Sequence, residues 1–200
     1  MDLFAESVVI KIIKGGKSMK NVYLIFSFTG TYFSTFLKFM SGEKYIHVSL
    51  SFDKDLKEVY SFGRHNPRWA FPCGFSEENL EKVTQVFKKA VCQVYTLPLT
   101  IEEYKKLRKE VMRYKEKKEE YHYNIVGLVP IQFNKVYRRK HHYVCSQFIG
   151  KIFEDADIHN FPKDYSIVRP NDIRKIPRLS LEYEGKLSEY LRMLSCEEAI

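Results

Sequence analysis

Apolar positions from residue 21 onward fall into short runs that switch between two-residue spacing and three-to-four-residue spacing, the pattern of strands packed against helices. Val22, Leu24, Phe26 and Phe28 alternate with Tyr23, Ile25 and Ser27, a near-continuous apolar run that predicts a buried strand ended by Gly30. Phe33, Phe36, Leu37 and Met40 follow at helical spacing and predict a short helix with one face on the sheet, closed by Gly42. In Tyr45 to Phe52, Ile46, Val48, Leu50 and Phe52 point one way and Tyr45, His47, Ser49 and Ser51 the other, so one face is core and the other polar. After the turn at Asp53-Lys54-Asp55, Glu58 to Phe62 predicts the returning strand of a hairpin. An odd-numbered loop sets Ser61 across from Ser49; an even-numbered one sets Tyr60 there.

Arg64 to Phe75, with Pro67, Pro72 and Gly74, predicts a loop that holds Trp69. Cys92 to Leu97 predicts a strand. Thr100-Ile101-Glu102-Glu103 is a capping box that opens a long helix with Ile101, Tyr104, Leu107, Val111 and Tyr114 on its apolar side. The interleaved charges from Lys105 to Glu120 form its solvated face. Asn124 to Phe133 is punctuated by Gly127 and Pro130, and a basic stretch from Lys135 to His142 follows. Cys145 then opens a helix whose apolar face is Phe148, Ile149, Ile152, Phe153 and Ala156, ending near Asp157; Leu187 to Leu194 predicts a last short helix.

Composition narrows the class. Two hundred residues that are 44% hydrophobic and 15% aromatic can bury a core in one domain, which excludes disordered, collagen-like and coiled-coil chains. Cys73, Cys92, Cys145 and Cys196 contain no C-x-x-C pair, against a zinc ribbon, a thioredoxin motif or a disulfide framework. A reducing compartment follows, and a cytoplasmic location is expected. Val22 to Met40 is too interrupted by polar residues for a membrane span, and no small-x-small cleavage site follows it. Residues 1–18 stand apart. Lys14 to Met19 can be encoded with a purine-rich GGAGG ahead of the Met19 codon, which makes Met19 an expected start; the other reading is an amphipathic leader, Val8 to Ile13. The expected organisation is a leader over 1–18 and a single domain over 19–200.

The chemistry concentrates on two residues. A cysteine at a helix N-terminus sits where unpaired N–H groups and the helix dipole favour a thiolate. A histidine on the polar face of a buried strand is placed to take its proton, and the resulting thiolate–imidazolium pair is the nucleophile of cysteine hydrolases. Ser61 or Tyr60 on the neighbouring strand is the candidate to orient the imidazole. His141, His142 and Cys145 lack a fourth ligand at metal-site spacing. His65, His122 and His159 are read as surface or loop residues, and Cys73, Cys92 and Cys196 as structural or incidental.

The strings YIHVSLSFD, EVYSFGR, EEYHYNIVGL and YVCSQFIGKIFEDADI resemble the circularly permuted papain-like proteins of the NlpC superfamily, the YiiX- and YycO-like branch, related to lecithin retinol acyltransferase. The resemblance covers most of Asn21 to Asp172 and has the family order, histidine strand before cysteine helix. It implies an α+β fold in which a small antiparallel sheet packs against the helix that carries the cysteine. It also implies that Cys145 is the nucleophile of the Tyr/Phe-Cys-Ser motif and His47 the histidine of the His-Val motif. The third position in that family is commonly His or Glu; the matching strand here offers Glu58, Tyr60 and Ser61, and Ser61 is the expected one. Tyr121, Tyr123 and Asn124 match a segment that lines the family's cleft, so Tyr123 and Asn124, with Tyr60 and Trp69, are expected substrate contacts.

The expected function is a cysteine hydrolase or acyltransferase that cleaves an amide, thioester or ester through an acyl-enzyme on Cys145, with His47 as general base and no metal or organic cofactor. Expected partners are a small-molecule, peptide or acyl-lipid substrate, with no specific nucleic acid and no transmembrane segment. Two alternatives remain: a binding module that uses the same cleft without efficient turnover, and a binder of nucleic acid or another anionic surface, suggested by the net charge of +8 and the Lys135 to His142 cluster.

Overall fold

The computed structural model describes residues 18–69 and 71–197. The leader expected over residues 1–18 lies, apart from Ser18, outside the described residues. In chain order the elements are β1 (Met19–Phe28), α1 (Tyr32–Ser41), β2 (His47–Ser51), β3 (Val59–Arg64), β4 (Cys73–Glu77), α2 (Leu80–Val86), β5 (Val91–Thr100), α3 (Ile101–Glu116), β6 (His122–Tyr123), α4 (Leu128–Gln132), β7 (His142–Tyr143), α5 (Cys145–Asp155), α6 (Pro170–Ile173), β8 (Ser180–Lys186) and α7 (Leu187–Glu197). The class is α+β. The strands form one sheet in the order β7-β6-β4-β3-β2-β1-β5-β8. The small antiparallel sheet expected from the sequence is instead an eight-stranded mixed one, because the two-residue strands β6 and β7 add a parallel pair at one edge and β8 extends the other.

Helices cover both faces of this sheet. On one face Val22, Leu24 and Phe26 of β1, Val48 and Leu50 of β2, and Tyr60 and Phe62 of β3 meet Leu107, Val111 and Tyr114 of α3 and Phe148, Ile149, Ile152 and Phe153 of α5. Each such fully buried Leu, Ile or Phe side chain contributes about 1.5–3 kcal/mol relative to leaving it in water. On the other face Tyr23, Ile25, Val59, Cys92 and Val94 meet Leu80 of α2 and Leu187, Tyr190 and Leu194 of α7. The helix from Thr100 starts as its sequence specifies: Thr100 Oγ1 accepts from the Glu103 N–H at 3.2 Å, and Glu103 Oε2 accepts from the Thr100 N–H at 2.7 Å.

Three local expectations change. Part of the Arg64–Phe75 loop is strand: β4 pairs along β3 from Arg64↔Cys73 to Tyr60↔Glu77. Gly74 breaks the apolar alternation there because β4 runs so close to the chain at Tyr121 that a Cβ would collide with the Tyr121 carbonyl. Ile46 does not join the core face, since β2 begins only at His47 and Ile46 lines open space beside it. The helix α1 is closed by Gly42 in the left-handed region, φ 69°, as expected. Its apolar residues, however, do not all turn inward: Phe36 is 58% exposed and Met40 42%.

Candidate active site

The register of the β2–β3 hairpin decides what stands beside His47. Residues 52–58 form an odd-numbered loop, Leu50 pairs with Tyr60 and Ser51 with Val59, so Ser61 falls opposite Ser49 on the face that carries His47. Tyr60 falls on the opposite face, in the aromatic core, with its hydroxyl donated to Glu58 Oε1 at 2.8 Å. Glu58 is engaged by Arg108 at 2.9 and 3.0 Å. Neither Tyr60 nor Glu58 is bonded to His47.

The partner of the imidazole is Glu78, the residue just past β4. Its backbone N–H is anchored on the Val59 carbonyl at 2.8 Å, which aims its side chain back across β3. Glu78 Oε1 lies 2.7 Å from His47 Nε2, Oε2 accepts from the Ser49 hydroxyl at 2.7 Å, and Oε1 also accepts from the Ser61 hydroxyl. The two serine oxygens are 3.2 and 3.4 Å from the same imidazole nitrogen. Ser61 therefore belongs to the cluster as a donor that holds the carboxylate, while the carboxylate holds the ring. The resemblance calls for His or Glu as the third residue, and the structure supplies Glu78 from just past a strand that the sequence reads in part as loop.

Cys145 approaches from a different layer. It is the first residue of α5, whose N-terminus is fixed by the Gln147 side chain accepting from the Val144 N–H at 2.9 Å. The thiol reaches round the start of β2 and lies 3.8 Å from the Ile46 carbonyl oxygen. There it is near enough to the imidazole to raise the His47 pKa, while its own hydrogen bond goes to the Ile46 carbonyl.

Charge follows from this placement. Burial disfavours the imidazolium, but Glu78 and then the Cys145 sulfur outweigh it and raise the His47 pKa well above its ordinary value. Burial likewise pushes the Glu78 carboxyl up, and His47 with the two serine hydroxyls more than reverses that, leaving its pKa lowered. A Glu78 carboxylate and a His47 imidazolium are thus the favoured pair next to the thiol. The Tyr123 phenol, raised by burial and then by Cys145, stays neutral beside them.

A cavity of about 410 Å³ opens on this face of the sheet, bordered by His47 and Glu78 and walled mostly by apolar side chains, among them Leu37, Phe62, Val83, Phe87 and Ile125. A smaller space of about 50 Å³ contains Cys145 with Ser41, Glu43 and Arg169. Leu37, Ile46 and Tyr123 line both, so the two spaces are neighbours, with His47 on the larger and Cys145 on the smaller. Of the other expected contacts, Tyr123 is in this wall. Asn124 is buried and used in a turn, accepting from the Gly127 N–H at 3.0 Å and facing Gln147 Oε1 at 3.4 Å. Trp69 stands outside on the loop, 66% exposed.

Of the remaining histidines and cysteines, His65 and Cys73 border the large cavity and the others lie away from it. His142 Nδ1 bonds the Lys140 carbonyl at 2.7 Å, and His141 faces Glu120 at 3.8 Å. Cys92 is buried under the second face and Cys196 is exposed. Among the described residues no three His, Cys, Asp or Glu side chains are grouped to hold a metal ion, and no helix is long and apolar enough to cross a membrane.

Comparisons with known proteins locate the fold. No family model and no curated protein matches the chain. Its fold is shared with a solved structure described as metalloprotein yiiX from Escherichia coli O157:H7, with 15% sequence identity, a TM-score of 0.52, and coverage of 84% of this chain and 98% of that one.

Proposed function

We propose that this chain is a cysteine hydrolase or acyltransferase of the permuted papain-like kind, cleaving an amide, thioester or ester bond through an acyl-enzyme on Cys145. The observation that carries the reading is the His47 imidazole bonded to the Glu78 carboxylate at 2.7 Å, with the Cys145 thiol near enough to raise the pKa of the ring. The order of histidine strand before cysteine helix and the fold shared with YiiX support it.

In this mechanism the proton of the Cys145 thiol already rests on His47, as a thiolate–imidazolium pair, and the thiolate attacks the carbonyl carbon. The Cys145 N–H, in the first turn of α5 where backbone donors have no helical partner, faces the developing oxyanion. His47 then returns the proton to the leaving group, and water or an acceptor resolves the thioester. Glu78 is the positioning residue that keeps the ring oriented and charged between these steps.

The test is the rate of alkylation of Cys145 against pH, read by mass spectrometry in the parent and in His47→Ala. The other cysteines are internal controls: Cys196 is exposed, while burial pushes Cys92 up to about 12. Fast labelling of Cys145 at about pH 6, lost in His47→Ala, is the expected outcome and would justify screening acyl substrates. Labelling no faster than at Cys196 and indifferent to His47 would overturn the hydrolase reading. It would favour a binding module, a reading consistent with the small 4% exposure of Cys145.

A further inference from the structure

Three of the stretches of chain that line the large cavity have an unusual composition, while a fourth, residues 77–87, brings Glu77 and Glu78. Of the three, residues 29–42 supply Ser34 and Leu37, residues 62–76 supply Arg64, Pro67 and Phe71, and residues 121–144 supply Tyr123 and Ile125. Together these three stretches carry seven Lys and Arg and not one of the 25 Asp and Glu of the chain. They also hold eleven of the fourteen exposed large hydrophobic residues among those described. Exposed apolar residues scattered singly need no explanation, but a concentration of this kind marks a docking surface.

Phe39 is 86% exposed, Trp69 66%, Phe71 64% and Phe133 65%, and Lys38, Arg68, Lys135 and Lys140 of the same stretches are exposed as well. Aromatic and aliphatic tips next to unopposed cations suit a layer with anionic headgroups over hydrocarbon. A nucleic acid would use the cations but would have no need of Phe39 or Val129 turned to solvent. We propose that this rim seats the protein on an anionic lipid surface, with the 410 Å³ apolar cavity opening directly onto it. A hydrocarbon chain leaving the bilayer then passes from one apolar environment to another without crossing water. The docking stands whether or not Cys145 turns over.

Trp69 is the single tryptophan of the chain and lies on the rim, so it reports the event directly. Phosphatidylglycerol–phosphatidylcholine vesicles added to the full chain should shift its emission to the blue and carry the protein up in flotation, with retention falling as salt rises. Phe39→Ser, which leaves Trp69 in place, should weaken vesicle affinity about tenfold or more. Removing the charge of Lys135 or Lys140 should weaken it about fivefold each. Cys145→Ala should bind the same vesicles as the parent, which separates this surface from the catalytic reading. The proposal is overturned if Trp69 emission does not move on anionic vesicles. It is equally overturned if Phe39→Ser binds as the parent does, or if duplex DNA competes the protein fully off the vesicles.

Discussion

The two faces of β2 and β3 are made from neighbouring residues and behave differently. Val48, Leu50, Tyr60 and Phe62 are almost fully buried against α3 and α5, with Phe62 ringed by Phe75, Tyr114 and Phe148 at centroid distances of 5.2–6.1 Å. One residue along in each case, Ser49 and Ser61 are buried and His47 half-buried; all three bond to Glu78, and His47 and Glu78 border a hollow. The packed face gains from contact, and its one strand hydroxyl, Tyr60, finds Glu58 at the edge. The hollow face holds ionic groups in place by hydrogen bonds, and a fully packed face would leave no room for a substrate. A core and a site are thus separated by one backbone pleat.

That contrast predicts a graded set of responses. The largest is on the packed side, where Phe148→Ala should cost about 3–5 kcal/mol in urea unfolding, whereas Val83→Ala, which borders space already empty, should cost about 1 kcal/mol or less. Glu78→Gln comes next: the titration point of the His47 ring, followed by NMR, should fall toward the ordinary value near 6.5, and Cys145 alkylation at about pH 6 should slow about tenfold or more. A His47 titration unmoved by this change would mean that the carboxylate does not govern the ring.

The pH dependence of stability sharpens the same point. His47 has a raised folded pKa, so its contribution is complete below the unfolded value and is lost as pH rises through the folded one. Glu78 has a lowered folded pKa, so its contribution is complete above its unfolded value and is lost as pH falls through the folded one. The stability difference between parent and the His47→Ala, Glu78→Ala double variant should therefore be greatest between about pH 4.5 and 6.5 and shrink on either side. Urea midpoints across that range measure it. The smallest effect is expected for Ser61→Ala, about 1 kcal/mol or less, because Glu78 keeps Ser49 and His47 as partners.

Sequence pattern reached the packed face more readily than the hollow one, for a physical reason. Burial in a strand leaves a period-two trace, and Val22, Leu24, Phe26, Val48 and Leu50 carry it. The capping box at Thr100 and the helix opened by Cys145 were equally local, and they stand where the sequence placed them. His47 and Cys145 could be picked out because each sits at a recognisable point of an element. Glu78 could not, because its position depends on β4, whose Pro72 and Gly74 neighbours interrupt the alternation and give it the composition of a loop. Nothing in the segment itself says that its backbone will bond to Val59. The strand β8 and the helix α2 escaped for a related reason, since Ser180–Lys186 is mostly exposed and Leu80–Val86 buries only Leu80.

The thiol and the Ile46 carbonyl beside it are 99 residues apart along the chain. A ribosome adding about 5–20 residues per second needs roughly 5–20 s to travel that distance. During that interval His47, Ser61 and Glu78 have all been synthesised, but the nucleophile has not. When Cys145 does emerge, it lacks its proposed base until α5 has docked against β2 and β3, so on that reading reactivity arrives with this packing event rather than with any single residue. A chain truncated or stalled before that event carries every strand of the site and none of its chemistry. On the proposed reading, newly made protein stays latent until α5 has docked.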